Sequence, residues 1–157
     1  MKAFHIVLVE PEIPPNTGNI ARTCAATGTT LHLVKPLGFE VSDRTLKRAG
    51  LDYWPLVNLK LHESLDAFLR AYAGNPMYFV TTKGRRAYTE TDCEEGAMFL
   101  FGKETAGLDE TLLQENADRT LRIPMLPDER LRSLNLANSV AIILYEALRR
   151  RGFPDFR

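Results

Sequence analysis

Short apolar runs alternate with helix-period segments along almost the whole chain, and this alternation restricts the fold more than any other feature. The run at 4–9, rich in β-branched and large apolar residues, stops at Pro11, Pro14 and Pro15 as a buried strand does. Asn16 is placed to cap the helix that follows. In that helix Ile20, Cys24 and Ala25 share one face, and Gly28 supplies a C-terminal stop. Further strands are predicted at 30–34, 77–81, 97–101 and 120–123, with a weaker one at 56–59. Helices are predicted at 42–49, ended by Gly50, and from Leu65 through Phe68, Leu69 and Tyr72 to a stop at Gly74. Two more are predicted at 109–115 and 135–150, the last with Leu136, Val140, Ile143, Leu144 and Ala147 turned inward. The order implies an α/β fold: a mostly parallel sheet with helices on both faces.

In such sheets ligands settle beyond the carboxyl ends of the strands, where loops at Asn16, Thr81, Gly102 and Pro124 emerge together. The segments 16–22 (Asn-Thr-Gly-Asn-Ile-Ala-Arg) and 133–139 (Ser-Leu-Asn-Leu-Ala-Asn-Ser) each open a helix after a strand and a Pro-containing loop. Their unpaired N–H groups suit an anionic or nucleotide ligand. Between them, 101–108 (Phe-Gly-Lys-Glu-Thr-Ala-Gly-Leu) offers two glycines for close backbone approach and the carboxylate of Glu104. The Rossmann and P-loop phosphate fingerprints are both absent.

With 157 residues, 45% hydrophobic and 25% charged, the chain suits one compact domain. The formal net charge of +0 excludes a globally basic nucleic-acid binder, so any such binding must use local clusters. Candidate clusters are Arg44 with Lys47 and Arg48, Lys83 with Arg85 and Arg86, Arg130 with Arg132, and Arg149 to Arg151. Acidic runs lie at Glu90 to Glu95 and Asp109 to Glu115. Cys24 and Cys93 form neither a Cys-x-x-Cys pair nor a metal spacing, which points to a reducing compartment without structural zinc. The apolar run near the start is too short for a signal peptide and no segment reaches membrane-spanning length, so a cytoplasmic protein is expected. His5, His32 and His62 have no metal spacing and read as packed or exposed.

The three loop segments, in order, resemble the motifs of the SPOUT class of RNA methyltransferases, with 123–125 leading into the third. Within that class, 11–19 and 47–53 are similar to the TrmL-like family, which methylates the wobble ribose of particular tRNAs. The resemblance implies an α/β-knot fold with a C-terminal trefoil knot, a single methyltransferase domain over 1–157 without a separate RNA-binding domain, and a homodimer. It implies S-adenosylmethionine as cofactor and a tRNA anticodon stem-loop as partner, with no membrane and no metal. The substrate would be the 2′-hydroxyl of cytidine 34 or carboxymethylaminomethyluridine 34, in tRNA-Leu isoacceptors. The alternatives are a ribosomal RNA methyltransferase of the same class and a non-catalytic RNA-binding or assembly protein.

Carried over, the resemblance places the cofactor at Val80, Thr81, Gly102, Ile123, Ser133 and Leu134, and RNA at Asn16, Arg22, Arg48 and Arg132. Arg22, Glu104 and Asn135 are the catalytic candidates. A guanidinium stays protonated, so Arg22 is read as a phosphate clamp and stabiliser of the developing oxyanion, with the base unassigned. Glu104 either orients Arg22 or the substrate, or is a loop carboxylate near Lys103. Asn135 either positions the ribose or caps the last helix. Tyr53 and Trp54 either stack on unpaired bases or pack. The segment 128–132 is longer than the family pattern and leaves open which of Arg130 and Arg132 faces RNA.

Overall fold

The computed structural model describes residues 1–41, 44, 48 and 53–157. Among these residues the strands are β1 (His5–Val9), β2 (Thr30–Val34), β3 (Leu59–His62), β4 (Met77–Val80), β5 (Arg86–Ala87), β6 (Met98–Phe101) and β7 (Thr120–Arg122). They form a sheet in the order β3-β2-β1-β6-β4-β7-β5, and every neighbouring pair is parallel. The helices are α1 (Pro14–Thr27), α2 (Leu65–Ala71), α3 (Glu110–Glu115) and α4 (Leu136–Arg150). The helix expected at 42–49 lies outside the described residues apart from Arg44 and Arg48, both exposed.

Strand alternation divides the core between the two faces of the sheet. Ile6 and Leu8 of β1 pack with Leu31, Leu33 and Phe99 beneath α1 and α4, whose Ile20, Cys24, Val140 and Leu144 are all buried. Val7 and Val9 turn the other way, toward Phe79, Met98 and Leu100 with Phe68 of α2 and Leu112 of α3. Each such side chain contributes roughly 1.5–3 kcal/mol by leaving water, so both faces must be covered and the expected layering follows. Helix ends carry the residues that the sequence offers: Gly28 adopts φ 65° after α1, and Ser64 and Asp109 cap α2 and α3 by accepting N–H groups of Ala67 and Leu112.

Several elements depart from expectation. Helix α1 begins at Pro14, not at a capping Asn16; its N-cap is Ile13, which has no side-chain acceptor. Proline is tolerated in a first turn because its missing N–H would have no intrahelical partner there. The weak strand expected at 56–59 is displaced. Pro55 lies in a 3-10 turn over Trp54–Leu56, and the ladder starts at Leu59 once Asn58 accepts the N–H of Leu31 at 2.9 Å through its carbonyl. Strand β5, only two residues long, carried no periodic signal.

The C-terminal half contains a crossing. Strands β4 and β5 follow one another in sequence, yet β7 lies between them, so residues 81–85 must pass over β7. A Cβ on Gly84 would sit 2.3 Å from the carbonyl carbon of Leu121, which shows how tightly the strap presses on the strand. The Arg122 guanidinium ties it down by donating to the carbonyls of Gly84 and Arg85, each at 3.0 Å.

The three histidines, expected merely to pack or lie exposed, form a hydrogen-bonded chain across β1, β2 and β3. His5 Nδ1 meets His32 Nε2 at 2.9 Å, and His32 Nδ1 meets His62 Nε2 at 2.9 Å. A neutral imidazole has one donor and one acceptor, so the bonds through His32 run in one direction. His32 is fully buried, and burial together with the flanking His5, His62 and Lys60 pushes its pKa down to about 3.

Candidate active site

Beyond the carboxyl ends of β4, β6 and β7 lies a cavity of about 660 Å³, walled by residues of the loops after those strands and of the segments that open α1 and α4. That volume falls in the range that holds a nucleoside-sized ligand. Its apolar lining includes Val80, Phe101, Leu108, Ile123 and Leu136. The three motif segments therefore meet at one place. Val80, Thr81, Gly102, Ile123, Ser133 and Leu134, which the resemblance assigned to cofactor, all line this cavity. Asn16, Glu104, Arg132 and Asn135 line it too.

One hydrogen-bond chain fixes these segments relative to each other. Asn135 caps α4: its side chain accepts the N–H of Asn138 at 3.2 Å. With that oxygen engaged, its amide nitrogen donates to Asn16 Oδ1 at 3.1 Å, and the Asn16 amide nitrogen in turn donates to Glu104 Oε2 at 3.3 Å. The Glu104 carboxylate also accepts the backbone N–H groups of Glu12, at 2.9 Å, and Ile13, at 2.8 Å. It thus serves the otherwise uncapped start of α1, where the helix dipole favours an anion. The clasp is reciprocal, because Glu12 accepts the N–H and the hydroxyl of Thr105 at 3.1 and 2.7 Å. Those two bonds hold the Glu12 carboxyl below its ordinary pKa, with Lys103 adding a smaller effect.

The Glu104 carboxylate binds the first motif through the N–H groups of Glu12 and Ile13 and the Asn16 amide, and Glu104 lines the cavity as well. Gly102 does not make room for a ligand first of all, since a Cβ there would lie 2.0 Å from the carbonyl carbon of Gly107, so the loop closes on itself. Gly107 is different: at φ 70° it borders the cavity with nothing within 4 Å of a built Cβ. Arg22 does not line the cavity. Six residues beyond Asn16, it is carried about 9 Å along the helix and well round its axis, and it stacks on Tyr53 at 4.8 Å from the ring centroid. Arg48, exposed, does not line the cavity either.

In the segment 128–132 the two arginines differ in their surroundings. Arg130 closes on Asp128, with Nε to Oδ1 at 2.9 Å and Nη2 to Oδ2 at 2.5 Å, while Arg132 reaches the cavity wall. Other basic clusters are also locally paired: Arg85 with Asp118, Arg149 and Arg150 with Glu146, and Arg151 with Asp92. Among the described residues no helix is long and apolar enough to cross a membrane.

The chain is similar to known methyltransferases. A protein of Methylovorus glucosotrophus (strain SIP3-4), named tRNA (cytidine(34)-2'-O)-methyltransferase, is 52% identical over 96% of this chain and 97% of its own. A structure described as giving insight into 2-OH methylation of C/U34 on tRNA superposes with a TM-score of 0.91 at 47% identity, covering 97% of this chain and 98% of that one. The SpoU methyltransferase AviRb of Streptomyces viridochromogenes, in complex with AdoMet, gives a TM-score of 0.80 at 28% identity over 96% of this chain and 59% of its own. Residues 3–145 match the sequence profile of the SpoU rRNA methylase family, and the chain belongs to that family.

Proposed function

We propose that this chain transfers a methyl group from S-adenosylmethionine to the ribose 2′-hydroxyl of nucleotide 34, a cytidine or carboxymethylaminomethyluridine, in the tRNA anticodon loop. The observation that carries the reading is that all three motif segments converge on one cavity, in a chain that matches a tRNA (cytidine(34)-2'-O)-methyltransferase along nearly its full length. The tRNA-Leu isoacceptors are the proposed substrates, and the cytoplasm the proposed compartment; Cys24 and Cys93, both free and buried, suit a reducing one. The chain is read as one methyltransferase domain without a separate RNA-binding domain. The strap over β7 supports the trefoil knot that the resemblance implies.

The residues present fit the cofactor. Apolar side chains flank loop backbone whose N–H and C=O groups can hold an adenine, and Gly107 leaves open space beside them. When bound, S-adenosylmethionine supplies an electrophilic methyl on a sulfonium. Val80, Thr81, Gly102, Ile123, Ser133 and Leu134 would hold it, while the Asn135–Asn16–Glu104 chain keeps the walls in register, so that positioning dominates catalysis. Arg22 lies off its own cavity, and in this reading it acts on the cavity of a second copy in a homodimer, clamping a substrate phosphate and stabilising the developing oxyanion. Arg132 and Arg48 would contact RNA.

The test supplies labelled S-adenosylmethionine to the purified protein with tRNA or ribosomal RNA. The reading expects label in tRNA. Label confined to ribosomal RNA transfers the assignment to that substrate, and none in either leaves a binding protein.

A further inference from the structure

The charges around the cavity are not evenly compensated. Lys83 lies 3.7 Å from Glu110. The Glu104 carboxylate is occupied by two backbone N–H groups and the Asn16 amide. Two cations remain: neither the Lys103 ammonium nor the Arg132 guanidinium has a hydrogen bond or ion pair among the described residues, and both residues line the cavity. Glu12 feels Lys103 electrostatically but is held by Thr105 and forms no ion pair with it.

The root of Lys103 is fixed. Its carbonyl accepts the Gly107 N–H at 2.8 Å, and the Lys103–Gly107 bridge closes the loop. Arg132 comes from a different segment, three residues before the Asn135 cap of α4. Two cations on separate walls of one cavity, with no carboxylate in ion-pair reach, favour an anionic group between them; an ammonium there acts as a point charge and a guanidinium as a fork. We propose that Lys103, together with Arg132, forms an oxyanion-binding subsite of this cavity, which receives either an RNA phosphate beside the reacting ribose or the α-carboxylate of the cofactor. The proposal rests on the methyltransferase reading above and adds a subsite to it.

The test uses the full-length protein and its Lys103→Met and Lys103→Arg variants. Affinity for S-adenosylhomocysteine is measured by calorimetry, and affinity for an anticodon stem-loop RNA by fluorescence anisotropy over a range of NaCl concentrations. Lys103→Met is expected to weaken binding of one ligand by about 5–20-fold, as the loss of a charge-assisted contact does, while Lys103→Arg stays within about twofold. If the phosphate is the group bound, RNA affinity falls and the salt slope shrinks by about 0.7, one contact on a single strand. If it is the carboxylate, S-adenosylhomocysteine affinity falls and RNA binding is unchanged. Unchanged affinity for both, or equal losses in Lys103→Met and Lys103→Arg, overturns the subsite. A wild-type protein that binds neither probe overturns the methyltransferase reading itself.

Discussion

Glu104 accepts the backbone N–H of Ile13 at 2.8 Å, so a carboxylate in the second motif caps a helix whose N-cap lies ninety-one residues earlier. The first two motifs are therefore joined by a helix cap supplied from a distant loop, and both line the cavity.

Replacing Glu104 with Ala removes the acceptor for two N–H groups and for Asn16. A loss of about 2 kcal/mol is expected, as for helix caps and charge-assisted hydrogen bonds, with Glu104→Gln losing less because one amide oxygen remains. Urea unfolding measures both. Undiminished stability with lost activity would return Glu104 to a direct role on the substrate.

The glycines of the site should rank by what surrounds them. Ala at Gly84 or Gly102 drives a methyl into backbone 2.3 or 2.0 Å away, so these variants are expected to lose the fold of the C-terminal half. Ala at Gly107 meets open space and costs only about 1–2 kcal/mol for its left-handed backbone. Thermal unfolding and soluble yield provide the ranking; Gly102→Ala as stable as Gly107→Ala contradicts it.

Stability should fall as the pH drops below 6.5. His32 has its folded-state pKa depressed from 6.5 to about 3, so through that window the unfolded chain binds a proton that the folded chain refuses. His5 and His62 are shifted in the same direction, chiefly by burial. The contribution is complete above 6.5 and is lost as pH falls toward 3. Between about pH 6.5 and 5 few carboxylates titrate, so the slope there belongs to the histidines. Denaturant titrations on wild type and His32→Leu give the comparison: the variant's curve should be flatter in this interval, and equal slopes would refute the assignment.

Arg22→Ala should lower kcat by about 10²–10³, the usual cost of one oxyanion-stabilising donor, while cofactor affinity stays unchanged because Arg22 is not in the cavity lining. Mixing Arg22→Ala with a cavity-blocked Ile123→Trp variant tests where the arginine acts. Activity recovered in the mixture shows that it serves the other subunit's cavity; none recovered places its action within its own chain.

The sequence made the sheet legible because apolar runs and helix-period faces are local signals: β1, β2, β4, β6 and β7 lie where their residues predict, and Gly28, Asp109 and Asn135 terminate helices as their chemistry requires. What it concealed depends on long-range meetings. Pairing with Leu31 sets the start of β3 at Leu59, and β5 exists only because β7 passes between it and β4. The role of Glu104 was hidden because its partners, Glu12 and Ile13, come from the other end of the chain. Asn16 was misread for the same reason: its side chain bridges Glu104 and Asn135 instead of capping its own helix. Motif resemblance located the residues around the cavity, whereas the position of Arg22 needed the pitch of α1.

The most direct test of the account is the position of the methyl group. Unmodified tRNA-Leu is incubated with the protein and S-adenosylmethionine, digested, and mapped by mass spectrometry. The account predicts a 2′-O-methyl ribose at nucleotide 34 and at no other position. A methyl group on a base, or on the ribose of any other nucleotide, would contradict it.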